Sequence, residues 1–314
     1  MINTSFGRGL ACAVSSHILW GLLPVYWKLL AFVQPGHILA FRILFSLVLT
    51  GAFLLAMKNT AWLSPFGNAK KAFFLVLAAL TISVNWGLYI WAVNQGHTIE
   101  ASLGYYIKPL VSIVLGLVFF RERLGLLQWA AFGLGFLGVL LMTILSGAPP
   151  WISLGLALSF GFYGLLKKKI TLSALESLGA ETLAAAPIGL ALLFLPYGNL
   201  SDLSGLSVFS WVLLSSIGLA TSLPLYFFAR GVQSLPLSAM GFIQFISPTF
   251  QFLLGVFVFG ESFPARNYAA FALIWAAVIL YSVSLGRLGR RRKLHRPGRE
   301  APNRIAPEEK DAYN

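Results

Sequence analysis

Three charged side chains stand inside long apolar stretches of this 314-residue sequence: Arg42, Lys108 and Glu181. A charge near the centre of a lipid bilayer is costly, so it faces a polar cavity or an opposite charge. We predict that Arg42 and Lys108 line one cavity and attract the anionic group of a solute. The structural alternative for Arg42 is a hydrogen bond to a neighbouring helix, or a side chain that reaches up to the membrane surface. Lys108 lies deeper in its stretch, so reaching the surface is harder for it.

Glu181 and His17 each have two open roles. Glu181 either binds a cation or shuttles a proton, or it is a fixed partner of Lys108 or Arg42. A histidine can change its charge near neutral pH, which makes His17 a further candidate on a solute path. Its alternative role is that of a hydrogen-bonded residue of the core.

Amide and aromatic side chains complete the predicted path. Asn85 and Gln244 carry amides inside apolar stretches, where polar groups need partners. Trp20, Tyr89 and Tyr106 belong to a set of aromatic residues that would suit an amphipathic or aromatic solute. For these aromatic residues, packing or a belt at the membrane surface is the alternative.

The composition excludes most other classes of protein. Hydrophobic residues make up 58% of the chain and charged residues only 11%, whereas soluble domains hold about a quarter charged residues. One cysteine and four histidines exclude a Cys₄ or Cys₂His₂ zinc site. The sequence holds no Walker loop and no Ser-His-Asp pattern. We therefore expect no catalytic residues, no metal and no cofactor, and we predict an all-α membrane protein.

A transmembrane helix needs about 20 mostly apolar residues, and the sequence contains ten such candidates. They lie at roughly 10–31, 36–57, 72–94, 99–120, 124–145, 151–166, 174–195, 208–228, 236–259 and 265–285. With the N-terminus inside, nearly all Lys and Arg residues outside the spans fall on the inner side, and the outer loops hold only Arg266. This asymmetry predicts that both termini are cytoplasmic.

The two halves of the sequence resemble each other. Residues 108–122, KPLVSIVLGLVFFRE, align with residues 247–261, SPTFQFLLGVFVFGE, at an offset of 139 residues. Each repeat holds five spans, and because five is odd the second copy inserts upside down. We predict a cytoplasmic N-terminus at 1–9, a five-helix repeat at 10–145, its inverted copy at 151–285, and a basic tail at 286–314 that is disordered.

The repeat assigns equivalent roles to aligned residues. Pro109 and Pro248 align, and each is expected to kink or break its helix and expose carbonyl groups to the cavity. Glu122 and Glu261 also align, at helix ends, where they are expected to cap a helix or fix a loop. The basic tail is expected to touch anionic lipid headgroups. It lacks the aromatic interleaving of a nucleic-acid-binding segment, so nucleic acid is not an expected partner.

The run SLGYYIKPLVSIVLGLVFFRERLGLLQWAAFGLGFLGVL, from Ser102 to Leu140, resembles the EamA module of the drug/metabolite transporter superfamily. WGLLPVYWK from Trp20, NWGLYIWAVN from Asn85 and FGFYGLLKKKI from Phe160 are similar to the RarD branch of that family. The resemblance extends from about residue 8 to residue 285. It implies a ten-helix carrier of small organic solutes in the bacterial inner membrane.

These observations predict a secondary transporter, a permease or exporter that works by alternating access. Proton coupling is open, and so is the solute, which is either carboxylate-bearing, such as an amino acid or organic acid, or an amphipathic drug-like compound. The alternative function is a membrane-embedded enzyme that acts on a lipid-linked substrate. The expected partners are a small-molecule solute and the lipid bilayer. A homodimer through small residues such as Ala131 and Gly135 is a further possibility.

Overall fold

The computed structural model describes residues 4–95, 97–147, 151–194, 203–260 and 268–294. Glu261, Arg266 and the last 20 residues of the predicted tail therefore lie outside the described residues. Across the described ranges the secondary structure is helical. The chain is an all-α protein, as the sequence predicts.

Twelve α-helices follow one another along these ranges. They are α1 Thr4–Leu29, α2 Pro35–Ala56, α3 Ala69–Asn94, α4 Thr98–Phe119, α5 Leu126–Ser146, α6 Trp151–Lys169, α7 Ala174–Phe194, α8 Val208–Ser215, α9 Ile217–Ser234, α10 Leu237–Gln244, α11 Ile246–Leu253 and α12 Tyr268–Leu294. A 3₁₀-helix, Ala61–Gly67, joins α2 to α3, and a π-helical turn, Leu254–Val258, follows α11.

Eight helical stretches in the described residues are long and apolar enough to cross a membrane. Helices α8 and α9 together form one of them, Val208–Ser234, and α10, α11 and the π-helical turn form another, Leu237–Val258. The other six lie in α1 to α5 and in α7. Helix α6 and the apolar part of α12, Tyr268–Ser284, fall short of the same measure. The fold is therefore that of a multi-pass α-helical membrane protein.

The outer surface of the bundle agrees with this conclusion because it exposes large apolar side chains. Leu126 is 90% exposed, Val208 82% and Phe194 78%. In water such exposure would leave an unfavourable apolar surface, whereas lipid chains solvate it without cost.

Helix α12 differs from the expectation in its length. It continues to Leu294, so the first residues of the predicted tail, from Gly286 on, extend the last helix. Residues 295–314 remain outside the described residues.

Helices from the two halves of the chain pack against each other throughout. Helix α1 packs against α9 and α11, α2 against α7 and α9, α4 against α6 and α10, and α5 against α12. Helix α3 packs against α6 and α7. The bundle is thus interleaved, and the two sequence halves do not form separate bodies.

Small residues allow the close contact between α5 and α12. A Cβ atom on Gly138 would lie 2.8 Å from Ile274 Cγ1 and 2.9 Å from the Ala270 carbonyl oxygen. Ala131 is fully buried, and Gly135 faces Ala277 and Phe245. The predicted dimer face through Ala131 and Gly135 is therefore wrong, because the chain's own helices already cover it.

The two aligned prolines behave differently. Helix α4 runs unbroken through Pro109, so the break expected there does not occur. A break does occur beside Pro248, where α10 ends at Gln244 and α11 begins at Ile246. Pro248 stands in the first turn of α11, where a missing N–H group removes no bond of that helix.

Candidate functional site

A cavity of about 140 Å³ lies inside the bundle, and most residues of the predicted path line it. Those residues are His17, Trp20, Arg42, Asn85, Tyr89, Lys108, Gln244 and Pro248. Tyr106, Pro109 and Glu181 are the predicted residues that do not line it. The structure thus brings together side chains that are up to 231 positions apart in the sequence.

Helix order explains why these residues meet. Successive spans run in opposite directions, so the C-terminal halves of α1 and α3 lie at the same end of the bundle as the N-terminal halves of α2 and α4. Trp27, Arg42, Trp86 and Lys108 come from those four half-helices. The second half of the chain contributes Phe160 from α6, Gln244 from α10, and residues of α11.

Arg42 is held between two indole rings. Its guanidinium carbon lies 4.2 Å from the ring centroid of Trp86 and 5.1 Å from that of Trp27. Such cation–π contacts stabilise a cation in a water-poor site. Within the described part of the chain, Arg42 forms no hydrogen bond or ion pair, and its Nε atom is buried without a partner. The predicted alternative, a hydrogen bond to a neighbouring helix, is therefore not found.

Lys108 is in a similar position. Its Nζ atom lies 3.8 Å from the ring centroid of Tyr105 and 4.8 Å from that of Phe160. The residue is only 7% exposed, so its ammonium group does not reach the outer surface. No acceptor or carboxylate of the described ranges pairs with it.

The carboxylates of the described side chains are all engaged elsewhere. Glu122 accepts backbone N–H bonds at the start of α10, Glu176 accepts from Asn59, and Glu181 pairs with Lys167. None of the three lines the cavity. Two cations therefore face a space in which no described carboxylate balances them.

Glu181 is paired with Lys167, which lies just beyond the predicted span 151–166 and was expected in a loop. Its Oε1 atom lies 2.7 Å from Lys167 Nζ and accepts a bond of 2.8 Å from the Ser177 hydroxyl, while Tyr163 donates to Oε2 at 3.1 Å. The prediction that Glu181 is a partner of Lys108 or Arg42 is therefore wrong. Helix α6 continues to Lys169 and so carries Lys167 beside α7, where it is completely buried.

Arg42 and Glu181 nevertheless face a common space. Both line a second, smaller pocket of about 20 Å³ between α2, α3 and α7. They form no ion pair across it, because Glu181 is already bound to Lys167.

His17 is hydrogen-bonded to a neighbouring helix and also lies beside the cavity. The Ser247 hydroxyl donates to the His17 carbonyl oxygen at 2.9 Å, and Ser247 Oγ also lies 3.0 Å from His17 Nδ1. The Ser247 hydroxyl has a single proton, which it donates to the carbonyl oxygen. In the bond between Ser247 Oγ and His17 Nδ1, the donor is therefore the protonated Nδ1. His17 Nε2 is buried with no partner in the described residues. His17 is therefore hydrogen-bonded to α11 and also borders the cavity.

The two amides are anchored by their nitrogen atoms. Asn85 Nδ2 donates to the Leu156 carbonyl oxygen at 2.8 Å and to Ser159 Oγ at 2.9 Å. Gln244 Nε2 donates to Ser112 Oγ at 2.9 Å, and its Oε1 atom is buried without a partner among the described residues. Gln244 thus lines the cavity and has one buried acceptor atom without a partner in the described structure.

Tyr106 lies away from the cavity and its neighbour Tyr105 faces it. The Tyr106 hydroxyl donates to the Pro248 carbonyl oxygen at 3.4 Å, and its ring packs 5.4 Å from Phe271 of α12. Adjacent helical positions point about 100° apart, and the rotation of α4 turns Tyr105 toward the cavity and Tyr106 toward α12. The choice of Tyr106 as a path residue is therefore not supported by this geometry.

Trp27 and Gln251 also line the cavity, although the sequence reasoning did not select them. Their spacing along the helices is the sequence pattern that could have identified them as cavity residues. Trp27 follows Trp20 by seven residues, which is about two turns of α1. Gln251 follows Ser247 by one turn of α11, and its Nε2 atom donates to the Trp20 carbonyl oxygen at 3.3 Å.

A carboxylate caps the start of α10 near the C-terminal end of α4. Glu122, just after α4, accepts the backbone N–H groups of Leu237 at 2.7 Å and Ser238 at 2.8 Å. Lys168 lies 3.9 Å from the Glu122 carboxylate and donates to the Leu235 carbonyl oxygen. Glu122 is thus a helix cap, which confirms its expected role. The contact ties α4 and α6 to the start of α10.

Comparison with known proteins adds the family. The sequence profile of the EamA-like transporter family matches residues 7–144. Protein RarD of Streptomyces exfoliatus is 44% identical over 90% of this chain and 90% of its own length. The uncharacterized transporter YojE of Bacillus subtilis is 40% identical over 92% of this chain and 98% of its own length.

A solved crystal structure shares the fold. It superposes with a TM-score of 0.69 and covers 92% of this chain and 99% of its own, at 18% sequence identity. The multi-pass helical bundle, the central cavity and the extent of the sequence matches agree with the resemblance noted from the sequence. The chain therefore belongs to the EamA family of membrane transporters and is RarD-like.

Proposed function

We propose that this protein is a secondary transporter that moves a small, carboxylate-bearing organic solute across the bacterial inner membrane by alternating access. The observation that carries the proposal is the pair of cations in the central cavity. Arg42 and Lys108 both line it, and no described carboxylate balances either of them.

An unbalanced buried charge needs a compensating interaction. Taking an ion out of water costs several kcal/mol unless a counter-charge or hydrogen bonds replace the hydration. The aromatic rings around Arg42 and Lys108 supply only part of that replacement, about 2 kcal/mol for a well-placed cation–π contact. An anionic solute would supply the rest, and its binding free energy would come largely from these two groups.

Alternating access by two inverted five-helix repeats is part of the proposal. Equivalent helix pairs support it, because α1 packs against α9 just as α6 packs against α3, and α2 against α9 just as α7 against α3. The α2–α7, α4–α10 and α5–α12 contacts would then lie on the axis that relates the repeats. This symmetry would let the same unit adopt two related arrangements that open to opposite sides.

The orientation follows from charge. With Lys and Arg enriched on the cytoplasmic side, the end that holds Glu122 and Lys168 is the inner one, and both chain termini are cytoplasmic. The cavity then belongs to a state whose inner side is closed by the Glu122 cap. Inward opening would require Glu122 to release the start of α10.

Transport by purified protein in proteoliposomes tests the proposal. Vesicles are loaded with a metabolite extract, with and without an imposed pH gradient, and the compounds that cross are identified by mass spectrometry. We expect one class of organic anions to cross with the native protein. A dependence on the imposed pH gradient would show that transport is coupled to protons.

Two matched variants make the test specific. Lys108→Met should abolish transport of that class at equal expression. Lys28→Met removes a lysine whose Nζ lies 3.3 Å from the Phe259 ring, outside the cavity, and should transport normally. Equal transport by Lys108→Met and native protein would refute the role of the cation pair. If only neutral or cationic solutes cross, the anion proposal is wrong.

A further inference from the structure

We infer that the solute is a carboxylate that also carries a neutral O–H or N–H donor on a flat apolar body, and that a free α-amino acid is a poor ligand. The inference rests on the proposed function, because it assumes that the cavity binds the transported anion. Three features of the cavity carry it: its charge, its free acceptors and its walls.

The charge of the cavity disfavours an ammonium group. An α-ammonium group beside two cations needs an anionic partner to balance its positive charge, and no described carboxylate lines this space. At about 6 Å and an effective dielectric constant of about 20, each cation would repel the ammonium enough to weaken binding about 100-fold before any compensation. The carboxylate of the ligand meets the opposite situation beside Arg42 and Lys108.

Two residues that line the cavity each have a buried hydrogen-bond acceptor without a partner among the described residues. These acceptors favour a ligand that carries a hydrogen-bond donor. With Nδ1 protonated by the bond to Ser247, a neutral His17 ring presents Nε2 as an acceptor, and that atom has no partner in the described structure. Gln244 Oε1 is likewise an acceptor without a partner there. A buried acceptor left unpaired is unfavourable, and a hydroxyl or amide N–H of the ligand would relieve that cost.

The walls favour a flat apolar body. Six aromatic rings border the cavity: Trp20, Trp27, Trp86, Tyr89, Tyr105 and Phe160. Some of these rings pack on each other, as Trp20 does on Phe160 at 5.6 Å between centroids. Rings fixed in this way offer stacking faces at little entropic cost. Hydroxylated aryl carboxylates and N-acylated aromatic acids combine all three features.

Four small molecules that differ by one group separate these contributions. They are phenyllactate, phenylalanine, phenylpropionate and phenylpropanediol. Phenyllactate carries a hydroxyl where phenylalanine carries the ammonium and where phenylpropionate carries hydrogen. Phenylpropanediol keeps the hydroxyl but lacks the carboxylate. Binding of each to the purified full-length protein is measured by the quenching of tryptophan fluorescence, since three tryptophans line the cavity.

We expect phenyllactate to bind most tightly. Its Kd should be about 3- to 10-fold lower than that of phenylpropionate, as one added hydrogen bond provides. It should be at least about 10-fold lower than that of phenylalanine, because of the ammonium repulsion. Phenylpropanediol should bind at least about 10-fold more weakly than phenyllactate, as the loss of a charged hydrogen bond predicts.

His17→Phe tests the acceptor without emptying the site. Phenylalanine at this position can keep the ring packing on Trp20 and Phe228. In this variant the advantage of phenyllactate over phenylpropionate should fall to about twofold or less, and the requirement for the carboxylate should stay. Lys108→Met should lose the carboxylate requirement, and Lys28→Met should reproduce the native Kd values.

The outcomes separate the inference from the proposed function. If phenylalanine binds as tightly as phenyllactate, the inference is overturned while an organic-anion carrier still stands. If the hydroxyl advantage is absent in the native protein or survives in His17→Phe, the assignment of the acceptor is overturned. If folded protein binds none of the carboxylates, the inference fails, and the proteoliposome screen then decides separately whether any anion is transported.

Discussion

Replacing Lys167 with methionine should strongly destabilise the protein, because it leaves the buried Glu181 carboxylate without its positively charged partner. Lys167 is completely buried and Glu181 is 3% exposed, and their charged atoms lie 2.7 Å apart. The lysine also donates to Ser177 Oγ at 2.7 Å. In Lys167→Met, Glu181 keeps only the hydroxyl donors Ser177 and Tyr163.

The size of the effect follows from the geometry. Two unit charges at this distance attract by about 6 kcal/mol at an effective dielectric constant of about 20. Most of that attraction offsets the cost of removing both ions from water, so the pair itself adds little net stability. Removing one partner leaves the cost of the other uncompensated, and we expect a loss of about 3–5 kcal/mol. For a chain of 314 residues, with an unfolding entropy of about 2 cal/mol/K per residue, that corresponds to a fall in Tm of roughly 5–8 °C.

Thermal unfolding of the detergent-solubilised protein measures this loss. The double variant Lys167→Met, Glu181→Gln removes both charges and should recover at least half of the lost Tm. Lys169→Met is the matched control, because Lys169 is exposed two residues further along α6, and its Tm should match that of the native protein. A native-like Tm for Lys167→Met, or a double variant less stable than the single one, would refute the reasoning.

Two further substitutions test the cavity and the packing of the bundle. Arg42→Leu should not lower the free energy of unfolding by more than about 1 kcal/mol, since Arg42 has no polar partner in the described structure that its loss would leave unpaired, while anion transport is lost. A large fall in Tm would show a structural role instead. Gly138→Leu should prevent folding, as measured by the monodisperse fraction in size-exclusion chromatography, because its side chain meets Ile274. Gly133→Leu, with open space around its Cβ, should remain folded.

Much of the fold could be predicted because it depends on composition and spacing. Long apolar runs predict membrane helices wherever they occur, and eight stretches of the described chain meet that criterion. The ends were less predictable, since helices such as α12 continue past the apolar run into polar sequence. The break at Phe245, the unbroken helix through Pro109 and the 3₁₀-helix at Ala61–Gly67 depend on contacts with neighbouring helices.

Some residues of the candidate site could be predicted from the sequence and others could not, because the direction in which a side chain points depends on how its helix packs against its neighbours. A charged residue in an apolar stretch is costly to bury in a membrane, so Arg42 and Lys108 could be selected as site candidates from the sequence alone. Tyr105 and Tyr106 are adjacent residues of the same type, and only the rotation of α4 in the bundle decides that Tyr105 faces the cavity.

The sequence by itself determined the class of protein, the family, and three of the buried charges, Arg42, Lys108 and Glu181. The class and these charges depend on what each residue costs to place in a membrane, which is a property of the residue and its near neighbours. The family depends on motifs such as the run from Ser102 to Leu140. Only the tertiary structure decided the pairings. Glu181 could have met Arg42, Lys108 or Lys167, and the continuation of α6 to Lys169 places Lys167 Nζ 2.7 Å from its carboxylate. Arg42 and Lys108 therefore have no carboxylate partner among the described residues at the cavity. Which charged groups pair depends on which helices become neighbours, and the tertiary structure alone decides that.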